Sequence, residues 1–215
     1  MRPTPTYACH RTPESLEPCG ETGRPAWQRA ERLTAFHLAG GEGALASGRY
    51  LRAALLWDDE ALYAAWESAP SLVPVTRAER DADLWTECAV ELFLAAGEGY
   101  YEIEVNPRGA VLDLHFPSED EDDWLKHRSW DAQGMAWAVS PESEDGLQPW
   151  AAELRLPWSA VPEVSRAEAD GQVALRAQIC RSQADLEGGF ELSAWGPVVS
   201  AFCERQAMGV VVLQP

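Results

Sequence analysis

The alternation of apolar and polar residues is clearest between Asp83 and Asp113. Val90, Leu92 and Leu94 share one face of an extended run, with Glu91 and Phe93 on the other. In the next run Tyr101, Ile103 and Val105 face one way, and Glu102, Glu104 and Asn106 the other. A period of two marks half-buried strands. Ala95-Ala96-Gly97-Glu98-Gly99 is a hairpin-sized link. Asn106-Pro107-Arg108-Gly109 reads as a second turn, with Pro setting φ and Gly free to take positive φ. Ala110 to Phe116 completes a three-strand meander, apolar on one face and bearing carboxylates and an amide on the other. Trp85 stands at an odd position like Glu91, so it joins the polar face if the strand reaches back that far.

The same patterning recurs along the chain. Leu51–Trp57 and Ala61–Glu67 form a hairpin about Asp58-Asp59-Glu60. Further strands are predicted at Met135–Ser140, Trp150–Leu156, Val173–Arg181, Leu192–Trp195 and Met208–Leu213. Pro157 to Val161 reads as a single helical turn with Pro at its start. Trp27, Ala30, Leu33 and Phe36 lie at near-helical spacing, which predicts a short helix leading into a strand. Residues 1–25, rich in Pro, Thr, Gly and Glu, predict an irregular arm, and residues 26–215 a single domain. Many short strands, separated by turn signals and with no long helix, predict an all-β fold. The expected architecture is an antiparallel β-sandwich or jelly roll with a few short helical turns.

Composition narrows the partners. The 215 residues are 46% hydrophobic, enough for a sizeable core. Lys and Arg total 17 against 35 Asp and Glu, a net charge of −18. Such a chain lacks the basic patches that nucleic acid and anionic membranes require, but it accommodates neutral ligands and Ca²⁺. Glu119 to Asp123 is a five-acid run that reads as a solvated loop. Cys9, Cys19, Cys88, Cys180 and Cys203 include no CxxC pair and read as free thiols. Cys9, His10 and Cys19 lack zinc-ligand spacing. The N-terminus has no apolar segment of the signal-peptide kind, and the chain as given reads as cytoplasmic and monomeric. Ten tryptophans are many for this length; some belong to the core, and their number raises the prospect of an aromatic platform for a flat ligand.

No catalytic signature is present: no G-x-S-x-G, no Walker A, no H-E-x-x-H and no G-x-G-x-x-G. The residues do suit a sugar. A pyranose presents an apolar C–H face and a rim of hydroxyls, so its site wants an aromatic plane beside carboxylate, amide or guanidinium groups. Trp85, Glu91 and Asn106 supply that combination around the meander. Trp195 offers a second plane and Arg181 a guanidinium. Four of the five also have a plain alternative: core packing for Trp85 and Trp195, solvent for Glu91, and a carboxylate partner for Arg181. Trp57, Trp66, Trp137 and Trp150 lie on apolar strand faces and read as core.

Six segments in order extend the argument: WDDEALYAAWE (57–67), LWTECAVELFL (84–94), YYEIEVNPRGAVLDL (100–114), WAAELRLPWSAV (150–161), LRAQICRSQ (175–183) and ELSAWGPVVSAFCERQAMGVVVL (191–213). Their order resembles the family 9 carbohydrate-binding modules, sandwiches related to the DOMON type. The resemblance implies non-catalytic binding of a mono- or disaccharide, or a glycan end, clamped between two tryptophans. Trp85 matches the Trp ahead of the first central strand, and Glu91 the Glu six residues on. Asn106 matches the Asn closing the next strand, and Trp195 the late loop Trp. Where binding members carry an Arg two residues before that Asn, this chain has Glu104, and Arg181 is the expected replacement. The resemblance requires no cofactor but implies structural calcium, for which Asp58, Asp59 and Asp113 are the candidate ligands. Two other functions stay open: a glycoside hydrolase using a carboxylate pair, and an interaction sandwich with a vestigial site. The haem seen in some DOMON relatives finds no convincing Met/His pair here.

Overall fold

The computed structural model describes residues 3–40, 45, 48–118, 124–164, 166–169 and 172–215; the acidic run Glu119–Asp123 lies outside them. The described strands, in chain order, are β1 (Thr6–Arg11), β2 (His37–Leu38), β3 (Leu51–Trp57), β4 (Ala61–Ser68), β5 (Cys88–Ala96), β6 (Gly99–Val105), β7 (Val111–Phe116), β8 (Ala136–Ser140), β9 (Trp150–Pro157), β10 (Arg166–Ala169), β11 (Gln172–Ala184), β12 (Phe190–Ala194) and β13 (Gly209–Gln214). They join in the order β7-β6-β5-β11-β13-β1-β3-β4-β9-β8, with β10 and β12 beside β11 and β2 beside β12. The array curls into a β-sandwich. Val90, Leu92 and Ile103 from one end of this path share a core with Leu55, Leu62 and Leu154 from the other. Buried Trp66 and Trp150 lie in that same core.

The central meander follows its alternation. Glu91 pairs with Glu104 and Phe93 with Glu102 across β5 and β6, so these four share a face. That face is covered rather than solvated. Phe93, Tyr100, Leu114, Phe202 and Met208 form a second apolar cluster over it. A third cluster, Leu16, Trp27, Leu56 and Tyr63, lies on the outer face of β3 and β4.

Two local expectations are corrected. The first residues are no loose arm, because Thr6–Arg11 is a strand running parallel to both β13 and β3. Tyr7 and Cys9 alternate into the core and anchor it. The helix expected over Trp27–Leu38 shrinks to a 3-10 turn at Pro25–Arg29. Its apolar residues serve different layers. Trp27 and Ala30 join the outer cluster, whereas Phe36 enters the main core and Leu33 packs against it. Leu33 also exchanges backbone bonds of 2.8 and 3.0 Å with Ala53, which requires extended chain.

Candidate functional site

The covered face of β5, β6 and β11 borders an open cavity of about 280 Å³. Strand β5 stops short of Trp85, which sits instead in a 3-10 turn, Leu84–Thr86. From there its indole reaches the cavity and stays 41% exposed. Phe190, at the start of β12 and 49% exposed, packs beside it with centroids 6.0 Å apart and planes tilted by 42°. Phe93, Tyr100, Leu192 and Phe202 supply apolar wall, and Ser200 and Cys203 complete the outer side. From the sheet side Glu91 and Glu102 bring carboxyl groups and Ser182 a hydroxyl. Ser182 comes from β11, where its pairing opposite Ala89 sets it on the same face as Glu91.

Three carboxyl groups meet at this end. Oxygens of Glu91, Glu102 and Glu104 lie within 4.8 Å of one another. Glu104 is fully buried, Glu91 nearly so, and Glu102 half-buried. Burial raises the pKa of each, and the neighbouring carboxylates raise Glu91 and Glu104 further. Neither oxygen of Glu104 has a partner in hydrogen-bonding geometry, nor has Glu91 Oε1 or Ser182 Oγ. Such a constellation can hold protons in common, accept hydrogen bonds from a ligand, or face a cation.

Of the five residues expected to bind, the fold brings Trp85 and Glu91 to this cavity. The other three are used elsewhere. Asn106 closes the β6–β7 turn: its Oδ1 accepts from Arg108 N at 3.1 Å and Ala110 N at 3.0 Å, and its Nδ2 donates to Arg77 O at 2.7 Å. Arg181 pairs with Val90 and so points through the opposite face of β11 from Ser182. There it is buried and donates to Tyr50 O and Ser68 Oγ at 3.3 and 3.2 Å. Trp195 offers no open plane, being 5% exposed and edge-on to Tyr7 at 6.5 Å. It also lies against Gly209, where a Cβ would stand 2.3 Å from the indole.

The aspartates proposed for calcium do not converge either. Asp58 Oδ1 accepts from Glu60 N and Ala61 N at 2.8 Å each, which shapes the β3–β4 turn. Asp59 pairs with Arg11, and buried Asp113 pairs with Arg80 and accepts from Ala132 N at 2.6 Å. Among the described residues, the group spaced to hold an ion is the glutamate cluster.

Glu102 was legible from the alternation that marks Glu91, since the two fall on one face across the hairpin. Ser182, Phe190 and Phe202 carried no such signal. They arrive from β11, β12 and a late loop, about a hundred residues away in sequence.

A curled sandwich with an aromatic-edged cavity beside its central meander has the fold of the family 9 carbohydrate-binding modules. No family model matches the chain, and no curated protein does. Solved structures do match. A protein from Bacteroides uniformis ATCC 8492, provisionally described as carbohydrate-binding, is 14% identical with a TM-score of 0.75, over 99% of this chain and 100% of its own. A family 9 module from Caldicellulosiruptor kristjanssonii in complex with cellotriose matches at 14% identity and a TM-score of 0.63, over 97% of this chain and 93% of that one. The module from the same organism in complex with glucose matches at 14% and 0.61, over 97% and 94%. At this identity the likeness is one of fold.

Proposed function

We propose that the protein binds a saccharide non-covalently at the Trp85 cavity. The observation that carries the reading is an exposed indole set beside a cavity of monosaccharide scale, with Glu91, Glu102 and Ser182 as its polar lining. The indole gives a C–H face something to stack on, and the carboxyl and hydroxyl groups read the hydroxyl rim. Phe190, rather than a second tryptophan, stands as the companion ring. The complexes of its fold neighbours with cellotriose and glucose support the same class of ligand.

Calorimetry against glucose, cellotriose and a wider glycan panel tests this. Trp85→Ala is expected to weaken binding by about tenfold or more, the scale of a lost stacking contact. Binding that survives this change intact rejects the site. Turnover of chromogenic glycosides that disappears in Glu91→Gln would replace binding with hydrolysis.

A further inference from the structure

Glu91, Glu102 and Glu104 are more carboxyl groups than a hydroxyl rim needs at one point. With oxygens within 4.8 Å, ionising all three near neutral pH is costly unless a cation stands among them. A second observation comes from a different strand. Ser182 Oγ on β11 is 1% exposed, lines the same cavity as Glu91 and Glu102, and has no hydrogen-bond partner. Neither oxygen of Glu104 has one either, at 0% exposure. Buried polar atoms in native proteins are nearly always satisfied, so the unsatisfied Ser182 Oγ and Glu91 Oε1 of the cavity lining, with the Glu104 oxygens close behind Glu91 and Glu102, mark the place of a ligand group.

The chemistry of that group follows from the donors it must supply. A hydroxyl brings one O–H donor and no charge. A primary ammonium brings three donors and a positive charge, which suits three acceptor carboxylates and a hydroxyl oxygen. A bare Ca²⁺ takes six to eight oxygen ligands, and much of this lining is Phe93, Tyr100, Leu192 and Phe202. Those side chains suit instead the carbon frame that carries an amine, and the faces of Phe93, Tyr100 and Phe202 attract a cation. The chain's net charge of −18 favours the approach of cations over anions.

We infer that the preferred ligand is an amino sugar with a free amine, its ammonium group bound among Glu91, Glu102 and Glu104 and its ring against Trp85. The inference rests on the saccharide reading and narrows its ligand class. N-acetylation removes the charge and two of the donors, so the acetylated sugar lacks what the cluster recognises.

The test is calorimetry on the full chain at about pH 7, with glucosamine, glucose, N-acetylglucosamine and calcium chloride as separate titrants. Glucosamine is expected to bind about tenfold or more tighter than glucose or N-acetylglucosamine, the scale of a charge-assisted hydrogen bond. In Glu104→Gln the ratio is expected to fall to near one. Glu102→Gln, at a half-buried position, serves if the first variant fails to fold. Equal binding of glucose and glucosamine by the unaltered protein overturns the inference and leaves the saccharide reading intact. Absence of binding by all three sugars overturns the inference, and overturns the saccharide reading too if cellotriose and the wider glycan panel also fail to bind. Calcium binding that excludes glucosamine also overturns it, and makes the cluster an ion site.

Discussion

Trp85 and Trp195 are the same residue type with opposite fates. Trp85 is held on a 3-10 turn and remains exposed, while Trp195 is packed against Tyr7 and Gly209. Trp195→Ala is therefore expected to cost about 3–5 kcal/mol of stability, the range for removing a large core side chain. Trp85→Ala is expected to change stability by about 0.5 kcal/mol or less. Urea denaturation separates the two, and equal losses would place both indoles in the core. Local sequence could not make this distinction, because alternation shows which face a side chain takes but not whether another layer covers that face. Glu91 and Glu102 were legible for the converse reason: their sharing a face depends only on strand pairing. The use of Asn106 as a turn-closing amide was readable in part, since it stands at the head of Asn-Pro-Arg-Gly.

At the scale of elements, hairpins were legible and long-range pairings were not. β3–β4 and β5–β6–β7 join neighbours in sequence through turns marked by Asp, Gly and Pro. β1 pairs Thr6 with Val210, a partnership no local signal announces. The segment that follows β1 is tied down by one carboxylate. Glu153 on β9, 1% exposed, accepts from Cys19 N at 2.6 Å, Gly20 N at 3.0 Å and Arg24 Nε at 2.9 Å, and also from Trp27 Nε1. Removing one member of such a buried network strands the others. Glu153→Ala is expected to lose about 3 kcal/mol or more, and to raise amide exchange across residues 12–30 before the core strands open. Exchange that rises evenly over the whole chain would show that this segment is not a separate stabilising layer.

For the whole molecule, the glutamate cluster ties stability to pH. A carboxyl group whose pKa is raised by folding binds its proton more tightly in the folded state. Between the two pKa values the unfolded chain holds fewer protons, so stability falls as the pH rises. The window runs from the ordinary glutamate value of 4.5 to about 8, where Glu91 is pushed. Asp113, raised mainly by burial, acts in the same sense from its lower starting value. Glu67, Glu87 and Glu204 are shifted down, and their contribution is lost only as the pH falls below the usual carboxylate range. Thermal unfolding without ligand is expected to show a lower Tm at about pH 8 than at about pH 5.5, by on the order of 2 kcal/mol in stability or more. Glu104→Gln should flatten that slope. A Tm that rises across this interval would mean that the three carboxyl groups are not buried together.

The chain by itself determined the strand pattern, the sandwich class, the strongly acidic surface and the polar face of the central meander. These follow from alternation, turn chemistry and charge, which are local or additive properties. Tertiary structure decided that a late loop would roof that face, that Phe190 and Ser182 would join Trp85 and Glu91, and that Arg181 and Trp195 would turn into the interior. Those outcomes depend on the register between strands distant in sequence and on which layer packs over which. Both are set by the summed burial of the whole core rather than by any one segment.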